Sequence, residues 1–202
     1  MKLTIACCQV PGTEDLEQNL ATAERYITNA AHRGAQIVLL PEMFCCPYDN
    51  SCFPSYAQPV DGEIAIRLAN AAKKHGIYLF AGSFPEREGE NIYNTCLIFD
   101  RTGTLIGRHR KAHLFDINVE GGVAFQESAI LTAGNAITTV LTEYGPIGVA
   151  ICFDMRFVEP FRIMALRGAK LIVLPSAFNM TTGPAHWELT LRARALDNQV
   201  FI

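Results

Sequence analysis

Arg33-Gly34-Ala35-Gln36-Ile37-Val38-Leu39-Leu40-Pro41-Glu42-Met43-Phe44 reads as a helix end, a glycine suited to the left-handed residue after it, an apolar run of strand length, and a proline. An apolar run without alternation is what a strand buried on both faces shows, and such strands belong to parallel sheets. The string returns without gaps as Arg167-Gly168-Ala169-Lys170-Leu171-Ile172-Val173-Leu174-Pro175-Ser176-Ala177-Phe178, with half the pairs identical. Each copy follows a strand and a helix, so two similar halves with pseudo-symmetric sheets are expected, although any helix-Gly-strand corner can converge on such a string. Two copies fall short of the three or more repeats of a solenoid. Glu42 and Ser176 occupy matching strand ends, and Glu42 is the copy that carries a charge.

Outward from the first copy, residues 2–10 read as strand one, and Thr13 or Asp15 can cap a helix with Leu16, Leu20, Ala23, Ile27 and Ala31 at helical spacing. Residues 36–40 form the next strand, and residues 43–59, with three prolines and three cysteines, form a long loop. Residues 63–75 are helical, with Ile64, Leu68 and Ala71 or Ala72 on one face, and Gly76 ends them. Residues 77–83, 91–99 and 104–110 read as strands, the last two an antiparallel pair about a short turn. Residues 115–135 are a second long loop, of the kind that is usually functional or disordered. Residues 136–143 and 146–152 form a hairpin about Tyr144-Gly145, residues 157–166 a helix in which Pro160 is tolerable only near the first turn, and residues 183–198 a last helix. Residues 199–202 look like the start of another strand with no turn, tail or cap after it, so the chain is expected to be a single domain that lacks its C-terminal part.

At 202 residues and half apolar, the chain suits one α/β domain with a substantial core. No run approaches the ~18 apolar residues of a membrane span, and the N-terminus lacks a cleavage pattern, so a cytoplasmic protein without membrane association is expected. A net charge of -3 gives no general attraction to nucleic acid, and the basic run at residues 108–111 makes a poor footprint for one. Seven cysteines, among them the vicinal pairs Cys7-Cys8 and Cys45-Cys46, suit reduced thiols better than a disulfide framework. There is no C-x-x-C or H-E-x-x-H, and nothing requires a metal.

Gly145-Pro146-Ile147-Gly148-Val149-Ala150-Ile151-Cys152-Phe153-Asp154-Met155-Arg156-Phe157 is an apolar strand ending in a cysteine, with polar residues opening a helical segment after it. Open α/β sheets place their chemistry at such strand ends. A buried free cysteine is more often inert packing. Glu42 and Lys111 stand at or next to other strand ends, and the three types together fit acyl transfer at a carbon–nitrogen bond. A carboxylate in a partly dry site can take the thiol proton, and an ammonium can hold the developing oxyanion. The bland alternatives are a turn-capping Glu42 and a solvated Lys111.

Leu40-Pro41-Glu42-Met43-Phe44, Arg110-Lys111-Ala112-His113-Leu114-Phe115-Asp116 and Ala150-Ile151-Cys152-Phe153-Asp154-Met155-Arg156-Phe157 resemble, in order and spacing, the three signature segments of the nitrilase superfamily of carbon–nitrogen hydrolases. The resemblance runs from strand one to the last residue and implies an α/β fold, a nitrilase-like four-layer α-β-β-α sandwich. Within the superfamily the chain looks most like the omega-amidase branch, which hydrolyses the terminal amide of 2-oxo acids such as 2-oxoglutaramate and 2-oxosuccinamate. Pro47-Tyr48, His113-Leu114-Phe115-Asp116-Ile117, Phe125-Gln126-Glu127-Ser128, Phe178-Asn179-Met180-Thr181-Thr182-Gly183-Pro184-Ala185-His186-Trp187-Glu188 and Arg194-Ala195-Leu196-Asp197-Asn198-Gln199 carry that likeness. Amidases for deaminated glutathione share much of this pattern, enzymes acting on carbamoyl amines or nitriles differ only in the pocket, and a non-catalytic interaction protein on the same fold is the alternative from another class.

The resemblance implies Cys152 as nucleophile, Glu42 as general base, Lys111 as oxyanion stabiliser, and Glu127 as an additional glutamate that positions substrate or lysine. It further implies the Phe153 N–H as second oxyanion donor, no cofactor, and a homodimer packed through residues 157–168 and 183–198. A small anionic monoamide substrate needs donors for its far carboxylate. Arg156, Tyr48, Thr181 and Thr182 are candidates, with Phe115 and Phe178 as walls and Arg156 also able to pair with Asp154 or Glu159. His113 and His186 are read as hydrogen-bonding neighbours of the site, and the other six cysteines as packing or loop thiols.

Overall fold

A computed structural model describes residues 2–118 and 124–202. In the first half, β1 (Ile5–Cys7), α1 (Leu16–His32) and β2 (Ile37–Leu39) form a parallel β-α-β unit, and α3 (Glu63–His75) leads to β3 (Tyr78–Phe80), parallel to β2 on its other side. Asp15 caps α1 by accepting the Gln18 N–H at 3.0 Å, and Leu20, Ala23 and Ile27 on one helix face are buried. Gly34 and Gly168, the glycines of the two matching strings, both sit in the left-handed region, at φ 83 and 92. In the second half, β10 (Gly145–Val149), α4 (Val158–Leu166) and β11 (Leu171–Val173) repeat the parallel unit. After α5 (Gly183–Asn198), Phe201 bridges Leu171 in parallel. The two halves are therefore alike in connection as well as in string, with the short α2 (Phe53–Tyr56) lying in the loop after β2.

The first sheet continues through β4 (Phe84–Glu88), β5 (Asn91–Phe99) and β6 (Leu105–Arg110). β3 and β4 pair in succession with one edge of β5, and β6 pairs with the other. β4 departs from the expected single strand at residues 77–83. Its Pro85-Glu86-Arg87-Glu88 has no apolar strand pattern, yet Glu86 is buried because Arg108, Arg110 and Thr95 satisfy it, and Gln58 hydrogen-bonds the outer side of the strand. The second sheet has the order β11-β10-β9, where β9 is Thr138–Thr142. Of the residues expected as one long loop, 119–123 lie outside the described residues, and the rest contain the antiparallel pair β7 (Asp116–Asn118) and β8 (Ala124–Gln126), followed by a 3-10 turn at Glu127–Ala129.

Three apolar layers result from alternation along these strands. Val38, Leu79 and Leu97 pack with α1 and α3, while Ile37, Phe80 and Ile98 face Val140, Ile147 and Val149 of the second sheet. Ile172 turns the other way, toward Phe161 and Met164 of α4 and the partly buried Trp187 and Leu191 of α5. The order is thus helix, sheet, sheet, helix, the four-layer α-β-β-α sandwich. It explains the continuous apolar runs, since the central strands are covered on both faces. No described helix is long and apolar enough to cross a membrane.

Candidate active site

Glu42 follows β2 at a place shaped by a break in the neighbouring strand. Between β3 and β4 the pairing with β5 shifts by one residue, and Gly82 stands there at φ 59. A Cβ on Gly82 would lie 2.1 Å from the Pro41 carbonyl oxygen, so only glycine lets the two segments approach. Ser83 then donates its N–H to that oxygen at 3.1 Å, accepts the Met43 N–H on Oγ at 3.0 Å and the Phe44 N–H on its carbonyl at 3.2 Å. Glu42 is held facing inward and is 4% exposed.

Lys111 follows β6, where its N–H donates to the Asn94 carbonyl of β5 at 2.8 Å, and its side chain is wholly buried. Its Nζ donates to Glu42 Oε1 at 2.9 Å and to Glu127 at 3.0 Å. The antiparallel pairing of β7 with β8 brings Glu127 beside Phe115, whose N–H donates to Glu127 Oε2 at 2.6 Å. The Tyr48 hydroxyl donates to Glu127 Oε1 and lies 3.3 Å from Glu42 Oε1 and 3.4 Å from Lys111 Nζ. Glu42 is completed by the Asn94 side-chain amide on Oε1 and the Ala177 N–H on Oε2, each at 2.9 Å.

Cys152 lies beyond the strand rather than in it. β10 ends at Val149, and Cys152 opens a 3-10 helix, Cys152–Arg156, with φ 42. A positive φ in a non-glycine residue is a strained turn of the kind found at functional sites. It leaves the thiol buried where the charges of Glu42 and Lys111 act on it, lining a cavity with Tyr48 and Ala177. The Cys152 N–H is bound to the Pro175 carbonyl at 2.9 Å. The Phe153 N–H belongs to the first turn of this short helix, whose amides have no partner within the helix.

Burial raises the Glu42 pKa against the opposing charge of Lys111, with Glu127 pushing the same way as burial. Burial also pushes the Cys152 thiol well above its ordinary value, aided by Glu42 and opposed by Lys111. For Lys111 burial favours the neutral amine, but Glu42, Cys152 and Glu127 outweigh it and keep the ammonium. The resting site therefore holds a neutral thiol beside a carboxylate of raised basicity and a fixed positive charge.

A cavity over the thiol is lined by Tyr48, Phe115, Phe153, Arg156, Phe178 and Thr182, together with Asn179 and Ala177. Of the residues expected around the substrate, Thr181 is the exception. It is exposed, and its N–H serves the turn made by the Asn179 side chain. Arg156 pairs with neither Asp154 nor Glu159. Its Nη2 lies 2.9 Å from His186 Nδ1, and its Nε is buried without a partner in the described structure. Sequence reading missed Asn94, Asn179 and the Ala177 N–H. A polar Asn94 within the apolar run of β5 was the one available signal.

The four-layer fold, with a cysteine, two glutamates and a lysine gathered at its strand ends, defines a class of hydrolase. The carbon–nitrogen hydrolase family model matches residues 4–202, and the chain belongs to that family. It is 51% identical over 185 residues to "Omega-amidase NIT2" of Xenopus tropicalis, covering 92% of this chain and 67% of that protein. To "Omega-amidase NIT2" of Homo sapiens it is 47% identical over 198 residues, covering 98% of this chain and 72% of that one. The crystal structure of Saccharomyces cerevisiae Nit3, described as a member of branch 10 of the nitrilase superfamily, superposes with a TM-score of 0.89 at 39% identity. That match covers 98% of this chain and 73% of the other.

Proposed function

We propose that the chain is an omega-amidase, a cysteine-dependent amidohydrolase that releases ammonia from the terminal amide of small 2-oxo dicarboxylic acid monoamides such as 2-oxoglutaramate. The observation that carries the reading is Lys111 Nζ bound at once to Glu42 and Glu127, with the buried Cys152 thiol close enough to feel the charges of Glu42 and Lys111. Relatives named omega-amidase at about half identity support the substrate class.

In the first step Glu42 takes the Cys152 proton as the sulfur attacks the amide carbon. The carbonyl electrons move to oxygen, and Lys111 Nζ and the Phe153 N–H hold that oxyanion. The tetrahedral species collapses, and the C–N bond breaks. The nitrogen takes the proton from Glu42 and leaves as ammonia, and a thioester remains on Cys152. Glu42 then deprotonates a water that attacks the thioester, and the thiolate leaves and recovers its proton. Glu127 and Tyr48 position the lysine and the base. Arg156, Thr182 and Asn179 receive the far carboxylate of the substrate, and Phe115, Phe153 and Phe178 wall the pocket.

The protein works as a homodimer joined through α4 and α5, a reading supported by the exposed Val158, Leu166, Leu189 and Leu196 on those helices. Seven free thiols support a cytoplasmic, reducing setting.

Ammonia release from 2-oxoglutaramate by the wild-type protein and by Cys152→Ala tests the function. Release that Cys152→Ala abolishes is expected, and equal release by both contradicts it. Running propionamide alongside 2-oxoglutaramate tests the substrate class, which requires the anionic amide to be preferred.

A further inference from the structure

His109 in β6 and Lys111 and His113 just after it are alternate residues of the chain, and Ile151, Cys152 and Asp154 span the nucleophile turn. Asp154 is 1% exposed and accepts four hydrogen bonds. Its Oδ1 takes the His113 N–H at 2.9 Å and His113 Nδ1 at 2.8 Å. Its Oδ2 takes the Ile151 N–H at 2.9 Å and His109 Nε2 at 3.2 Å. One buried carboxylate therefore grips the residues two before and two after Lys111 and the residue just before Cys152.

We infer that Asp154 is a positioning residue that sets the lysine ammonium against the nucleophile turn, so that Lys111 Nζ and the Phe153 N–H converge on one oxyanion. The inference rests on the roles proposed above for Cys152 and Lys111. Its physical basis is that oxyanion donors act only at hydrogen-bond distance from where charge develops, so small displacements between two donors cost rate rather than binding. The thiol's base keeps anchors that run through neither Asp154 nor Lys111: Glu42 accepts the Ala177 N–H and the Asn94 amide, with the Tyr48 hydroxyl 3.3 Å away. Alkylation of Cys152 needs the thiol and its base but no oxyanion donor, which separates this role from general loosening of the turn.

The test compares Asp154→Asn, His113→Ala and His113→Asn with wild type, measuring kcat and KM for 2-oxoglutaramate and the rate at which iodoacetamide alkylates Cys152. Asn places an amide donor near the position of His Nδ1, so His113→Asn retains the bond to Asp154 that His113→Ala loses. Both variants lack the His113 ring, which stacks on Phe157 at 3.7 Å, so the stacking contact does not distinguish them. Asp154→Asn and His113→Ala are expected to lower kcat by about tenfold or more, with KM and the alkylation rate within about twofold of wild type. His113→Asn should recover most of that loss. Wild-type kcat in His113→Ala, alkylation falling in step with kcat, or no recovery in His113→Asn each overturns the inference. If Asp154→Asn does not fold, the two His113 variants decide the matter. Undiminished ammonia release by Cys152→Ala would instead overturn the underlying roles.

Discussion

The Ala177 N–H donates to Glu42 Oε2 at 2.9 Å, which joins the two copies of the repeated string at the carboxylate that faces the thiol. In the alignment of those copies Glu42 matches Ser176, the residue just before Ala177, so the base of one half is anchored by the equivalent corner of the other. Glu42→Gln keeps the size of this side chain but removes the proton acceptor. Ammonia release is expected to fall by about 10²-fold or more with the circular dichroism spectrum unchanged. Activity within a few fold of wild type would show that Glu42 only anchors the corner.

Tyr48 lies against Phe53 and Phe125, with ring centroids 5.7 Å away in each case, and gives its hydroxyl to Glu127. Tyr48→Phe leaves the ring in place and deprives Glu127 of a donor. A drop in kcat of roughly tenfold with little change in KM for 2-oxoglutaramate is expected. A raised KM at constant kcat would mean that the hydroxyl serves the substrate instead.

Helix boundaries were legible where chemistry is local. The helices at residues 63–75 and 183–198 have their expected bounds, and for the first of them apolar spacing and the Gly76 end are read from neighbours in sequence. β4 was not legible, because a proline and three charges show no strand pattern, and Glu86 is satisfied only by Arg108 and Arg110 from β6. The candidate site divides in the same way. Glu42, Lys111 and Cys152 stand out at or near strand ends. Asp154 and Asn94 draw their meaning from partners some forty to fifty residues away, at which no local pattern hints.

Gly82→Ala tests how the base is positioned. The added carbon would meet the Pro41 backbone oxygen at 2.1 Å with the residue at φ 59, so the bulge beneath Glu42 has to shift. Denaturant unfolding should show a loss of about 2–4 kcal/mol, and ammonia release should fall with it. Unchanged stability and rate would contradict the placement of Glu42 by this bulge.

Asp154 also makes acid stability specific. Burial favours its neutral form, but His109, His113 and the Ile151 N–H outweigh that and hold its carboxyl well below the usual range. A depressed folded-state pKa gives stability that is complete above the unfolded value of about 3.9 and is lost as pH falls through the folded value. The unfolding free energy of wild type should exceed that of Asp154→Asn by on the order of 3 kcal/mol at about pH 6, with the gap narrowing below about pH 4. A gap independent of pH would contradict an ionised, hydrogen-bonded Asp154.

The central claim is a thioester on Cys152, and acid-quenched mass spectrometry of the protein during turnover of 2-oxoglutaramate tests it most directly. A species heavier than the free chain by the mass of substrate less ammonia, mapped to Cys152 and absent from Cys152→Ala, is the predicted result. Turnover with the adduct on another residue, or persisting in Cys152→Ala, would contradict it.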